Sequence, residues 1–160
     1  MLPSYITDDF LDRFIASALE EDIGDGDHST LAAIPAPETR NARLIVKDEG
    51  VLAGVILAVR IFQFFDKTLK IDTRLEDGAS VKPGDIAFVV NGLARSILMT
   101  ERLVLNCMQR MSGIATKTNK LTRLITGTGA IVLDTRKTTP NFRLLEKWAV
   151  RIGGGSNHRM

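Results

Sequence analysis

Cysteine is nearly absent from this sequence: Cys107 stands alone among 160 residues. One thiol closes no internal disulfide, so nothing in the cysteine count argues for secretion. Cys107 falls in an apolar helical pattern and reads as a small core or interface residue. The opening MLPSYITDDF lacks a basic stretch followed by an apolar run and does not read as a signal peptide. Long hydrophobic runs are missing as well; the longest, Val51 to Phe65, carries Arg60 and Gln63 and is too short to span a bilayer. Charge of one sign is scarce, with 21 Lys and Arg against 19 Asp and Glu. A net charge of +2 does not predict a nucleic-acid ligand, which calls for a strongly basic face or arm. There is no GxGxxG, no Walker A loop, no clustered Cys/His metal site and no Ser-His-Asp or Cys-His spacing. Repeats and low-complexity segments are absent too. With 44% hydrophobic and 25% charged residues, the expectation is a globular, soluble, cytoplasmic protein with no membrane partner.

What is there is an ordered series of elements. Thr7 precedes Asp8 and Asp9, and Phe10, Leu11, Phe14, Ile15, Ala18 and Leu19 recur at helical spacing, which predicts a capped helix stopping before Gly24. Asp22, Asp25, Asp27 and His28 are read as turns and helix caps, because calcium-loop spacing is lacking. Arg43 to Lys47 and the stretch from Val51 flank Glu49-Gly50, a hairpin signal. Gly54 to Phe65 predicts a buried helix, and Leu69–Leu75 and Ile86–Asn91 predict strands separated by turns at Asp77-Gly78 and Lys82–Asp85. A long helix is predicted from Ser96 to about Ile125. Its apolar face includes Ile97, Leu98, Leu105, Met108, Met111 and Ile114, with a bend expected at Gly113. Ala130–Leu133 then reads as a short buried strand, followed by a polar loop and a helix over Phe142–Arg151. Strand, loop and helix in that order begin a β/α repeat. One such unit cannot close a barrel.

Between Arg136 and Arg159 lie six Lys or Arg residues against one acid, Glu146. That local excess suits an anionic ligand. Asp134-Thr135-Arg136-Lys137-Thr138-Thr139-Pro140 follows a predicted strand, and loops at the carboxyl ends of β/α strands are where ligands bind. Arg offers a planar fork and Lys a point charge for carboxylate or phosphate. The alternative is that Asp134 and Thr135 cap the next helix while the cations face water. Gly153-Gly154-Gly155 can expose amides as an anion nest or form a flexible tail, and His158 can bind an anion or move a proton. Residues alone lead to an anion-binding β/α enzyme portion.

Four segments in order then add a resemblance: Glu21 to His28; Glu101-Arg102 through Asn106 with Gln109 to Thr116; Asp134 to Pro140; and Leu145 to Arg151 running into Gly153–Arg159. Together they resemble the quinolinate phosphoribosyltransferases over roughly residues 18 to 160. The resemblance implies an α+β N-terminal sandwich domain, residues 1–100, followed by the beginning of an incomplete, truncated α/β barrel, residues 101–160. It implies transfer of the phosphoribosyl group of phosphoribosyl pyrophosphate to quinolinate with decarboxylation, in NAD biosynthesis. The products are nicotinate mononucleotide, pyrophosphate and carbon dioxide. Arg136, Lys137, His158 and Arg159 match substrate-binding positions, with Lys137 and His158 also expected to act in catalysis. Arg102 matches an arginine that enters the neighbouring site of a homodimer. Mg²⁺ is implied as cofactor, with its ligands expected beyond residue 160, so these residues alone are expected to be an inactive or incomplete fragment. A molybdenum-transport-associated paralogue and a non-catalytic anion-binding or dimerisation module are the competing readings.

Overall fold

Thr7 opens the first helix as the sequence predicts. Its Oγ1 accepts the Phe10 N–H at 3.1 Å, one of the donors a helix start leaves free. Asp8 and Asp9 lie in the first turn, where the helix dipole favours negative charge. This helix, α1 (Asp8–Ile23), buries Leu11, Ile15 and Leu19 and ends at Gly24. The computed structural model describes residues 2–159. Asp27 then caps the short helix α2 (His28–Ala33), accepting the Thr30 N–H at 3.0 Å. There follow β1 (Thr39–Ile45), β2 (Gly50–Val51), α3 (Val55–Phe65), β3 (Lys70–Thr73), β4 (Ser80–Val81), β5 (Ile86–Leu93), α4 (Ala94–Leu124) and α5 (Arg143–Ile152).

The hairpin expected around Glu49-Gly50 does not form. β1 pairs antiparallel with β5, Thr39 opposite Leu93 and Arg43 opposite Val89, while β3 pairs on the other edge of β5 to give the order β1-β5-β3. β2 instead pairs with β4, Gly50 opposite Val81. Two distant hydroxyls explain the choice. Thr116 Oγ1 accepts the Val51 N–H and Ser112 Oγ accepts the Ala53 N–H, each at 2.9 Å. Helix α4 thus accepts from Val51 of β2 and from Ala53 just beyond it, and holds that segment away from β1.

α3 is held from outside its own sequence. Asp77 Oδ1 accepts the Val55 N–H at 2.8 Å, serving as a cap supplied from the turn before β4. Burial pushes the Asp77 carboxyl above the usual carboxylate range, although the Val55, Ile56 and Gly54 amides pull it back. Phe62 of α3 meets Phe88 of β5 edge-on at 5.8 Å, so helix and sheet share one core.

α4 runs as one continuous helix through the exposed Gly113. Ile97, Met108 and Met111 are buried as the pattern predicts, but Leu98 and Leu105 are 40% and 36% exposed. The buried stripe runs instead through Leu103, Val104, Cys107 and Ala115. Burial pushes the Cys107 thiol up to about 12, which fits an inert core residue. Leu145, Trp148 and Ala149 of α5 join the same core cluster as α1 and α3.

The segment expected as a buried strand, Ala130–Leu133, is a correction. It carries only an isolated bridge, with Ile131 69% and Leu133 55% exposed. One neighbouring strand cannot cover both faces of a parallel strand.

Candidate anion-binding site

Residues 132–134 and 155–157 lie side by side in the same direction. Leu133 forms a parallel bridge with Ser156, the Ser156 N–H donates to the Val132 carbonyl at 2.9 Å, and the Asp134 N–H donates to the Ser156 carbonyl at 3.1 Å. Between them runs α5, so two extended segments joined by a helix lie parallel through one isolated bridge. Because the two segments run parallel, the chain leaves each in the same direction. Arg136 and Lys137 follow the first segment; His158 and Arg159 follow the second.

The glycines make this pairing possible. A Cβ on Gly153 would collide with the Ala115 carbonyl oxygen and lie 2.8 Å from Thr118 Cβ, so the chain passes against α4 only without a side chain. The Gly153, Gly154 and Gly155 N–H groups donate to the Ala149, Arg151 and Val150 carbonyls. They therefore end α5 and form neither the anion nest nor the loose tail that composition allowed.

Asp134 is the junction of the two strands. Its side chain is 5% exposed, and Oδ1 lies 2.7 Å from Lys147 Nζ, itself 1% exposed. The same Oδ1 accepts the His158 N–H at 2.8 Å, and Oδ2 accepts Asn157 Nδ2–H at 2.7 Å. Asn157 also donates to the Lys147 carbonyl and accepts from the Tyr5 hydroxyl. Burial raises the Asp134 carboxyl, but Lys147, the His158 amide and Asn157 together hold it below the usual range. Burial also pushes the Tyr5 hydroxyl up to about 12, opposed by the charge of Arg151 and aided by that of Asp134. Asp134 therefore does not cap α5, whose start carries no side-chain cap.

The far end of the cationic loop is pinned by Glu146. Its Oε1 accepts Thr139 Oγ1–H at 2.9 Å and two N–H groups of Arg110 at 3.0 and 2.7 Å, and Oε2 accepts the Thr139 N–H at 3.3 Å. Neighbouring residues of α5, Glu146 and Lys147, thus hold opposite ends of the Asp134–Thr139 segment. Between those anchors, Arg136 and Lys137 are exposed, as are His158 and Arg159. Among the described residues none of these four side chains makes an ion pair or side-chain hydrogen bond. They are free to meet an anion.

Arg102 stands apart. It lies on α4, pairs with Asp22 at 2.6 Å, and forms no hydrogen bond or ion pair with the other four. Sequence reasoning gave no role to Lys147, Asn157, Tyr5, Glu146 or Arg110. The lone acid among six cations, Glu146, was the one visible trace of the second anchor.

Among the described residues no three His, Cys, Asp or Glu side chains converge to hold a metal ion. Asp22 is engaged with Arg102 and Asp27 with the start of α2. The residues present do not fit the Mg²⁺ that the resemblance implies. No described helix is long and apolar enough to cross a membrane.

Comparison with known families accounts for nearly the whole chain. Residues 27–112 match the quinolinate phosphoribosyl transferase N-terminal domain and residues 114–160 its C-terminal domain. The chain belongs to the quinolinate phosphoribosyl transferase family. A curated relative from Oryza sativa subsp. japonica, named nicotinate-nucleotide pyrophosphorylase (carboxylating), chloroplastic, is 48% identical over 99% of this chain and 42% of its own length. A quinolinate phosphoribosyltransferase (decarboxylating) from Nicotiana tabacum is 46% identical over 99% of this chain and 45% of its own. Among solved structures, NadC from Streptococcus pyogenes superposes with a TM-score of 0.92 at 39% identity, over 97% of this chain and 56% of that one. The chain spans less than half the length of these curated quinolinate phosphoribosyl transferase relatives. The fold is accordingly the α+β N-terminal domain with the start of the C-terminal domain.

Proposed function

We propose that the Arg136-Lys137 loop and the His158-Arg159 segment form the quinolinate-binding half of a phosphoribosyltransferase site. The observation that carries this reading is the parallel pairing of residues 132–134 with 155–157, after which both cationic segments run on in the same direction. Quinolinate is a dianion, and guanidinium forks with an ammonium and an imidazole match two carboxylates. The whole-enzyme reaction proposed is transfer of the phosphoribosyl group of phosphoribosyl pyrophosphate to quinolinate, with loss of carbon dioxide, giving nicotinate mononucleotide and pyrophosphate. Lys137 and His158 are the proposed catalytic groups. Their part is to hold the anions in register and offset charge as pyrophosphate departs. The names of the rice and tobacco relatives support this chemistry.

Arg102 is proposed to serve a neighbouring site in a homodimer, and Mg²⁺ to be held by groups other than those described. Residues 1–100 and 101–160 are proposed as two domains, with the 160 residues alone binding quinolinate without turnover. A cytoplasmic location is the accompanying proposal. The test is calorimetric titration of quinolinate into the 160-residue protein and its Arg136→Ala variant. Binding that the variant loses supports the half-site; absence of binding by the parent protein counts against it.

A further inference from the structure

A lysine with a 1% exposed side chain needs a reason to be buried. Lys147 Nζ lies 2.7 Å from Asp134 Oδ1 in an ion pair, yet no acceptor among the described residues meets hydrogen-bond geometry with it. Such a pair is poor evidence of stabilisation, because apolar residues of similar volume often hold a fold as well. What the pair does do is fix the carboxylate that joins the two strands. With Lys147 on one side, Asp134 stays charged and offers Oδ1 to the His158 amide and Oδ2 to Asn157. Asn157 is tied in turn to the Lys147 carbonyl. The lysine therefore touches the second cationic segment by two routes and the first through Asp134.

We infer that Lys147 is a positioning residue: through Asp134 it sets the His158-Arg159 main chain against the Arg136-Lys137 loop. The inference rests on the proposed quinolinate site for its consequence in binding, but its structural claim is measured independently. The Lys147→Met variant removes the charge and keeps an unbranched side chain one atom shorter. Should the uncompensated Asp134 unfold it, the double variant Asp134→Asn, Lys147→Met removes both charges. Asparagine has one acceptor oxygen where Asp134 serves donors on both, so the contact to His158 or Asn157 is still lost.

Two readouts are taken on the folded variant: protection of the His158 amide from hydrogen exchange by NMR, and affinity for quinolinate. The expected result is loss of His158 protection and binding weakened about tenfold, the effect of one mispositioned hydrogen-bonded group. A folded variant that retains both His158 protection and affinity overturns the inference. So does failure of both variants to fold, since the pair would then be holding the core. If the parent protein does not bind quinolinate, the functional proposal fails while His158 protection alone still decides the role of Lys147.

Discussion

Arg102 Nη1 lies 2.6 Å from Asp22 Oδ1, so this arginine of α4 is held at rest by a carboxylate of α1. Its side chain is 72% exposed, and solvent screening leaves a pair so placed little to contribute to stability. Asp22→Asn should therefore leave urea-unfolding stability nearly unchanged. It should also release Arg102 from its competitor, strengthening quinolinate binding if Arg102 takes part. Unchanged affinity in the calorimeter would remove Arg102 from the binding groups.

Gly153 sits where α5 meets α4. An added Cβ collides with Ala115 and Thr118 of α4, backbone included, so neither can give way freely. Gly153→Ala should lose about 1–3 kcal/mol, the usual effect of overpacking. Gly113→Ala, at an exposed helical position with open space, should gain up to about 1 kcal/mol. Chemical denaturation of the two variants separates steric need from general helix propensity; equal shifts would contradict the close approach at Gly153.

These two glycines also mark what the sequence could reveal. α1 was legible because its cap, acids and apolar spacing all lie within one segment, Thr7 to Leu19. The candidate loop was legible because two adjacent cations, Arg136 and Lys137, follow the short apolar segment Ala130–Leu133. The partner of β2 was not, since the hydroxyls that settle it, Ser112 and Thr116, lie 59 and 65 residues away. Lys147 was not, because a lysine beside a glutamate reads as a surface residue until Asp134 is seen 2.7 Å away. Local signals give elements; the contacts that hold the site are long-range.

Asn141 precedes α5 with a φ of 61°, the single positive-φ residue other than glycine among those described. Asparagine tolerates this left-handed backbone, whereas a β-branched side chain does not. Asn141→Val should destabilise by about 1–2 kcal/mol and Asn141→Gly should not. Thermal unfolding of the pair checks this, and equal midpoints would mean that the loop relaxes to negative φ.

The Asp134-Lys147 pair should also leave a signature in acid. The Asp134 carboxyl titrates below its ordinary 3.8 in the folded chain. As pH falls past that value the unfolded chain takes up the proton first, so stability present above it is lost toward the folded value. The attraction of the buried Lys147 charge is part of that loss, since it is among the causes that lower the Asp134 carboxyl. Asp27 and Asp66, both lowered by hydrogen bonds to nearby threonine or serine, act in the same direction; Asp77, raised by burial, acts in the opposite one. The background from those three is shared by the parent protein and the Asp134→Asn, Lys147→Met variant. The difference between them isolates the pair. Melting curves at roughly pH 6 and pH 3 should show the parent losing more stability than the variant over that interval. Parallel losses would mean that Asp134 carries no folding-linked proton, and the carboxylate would then not be held by its buried lysine.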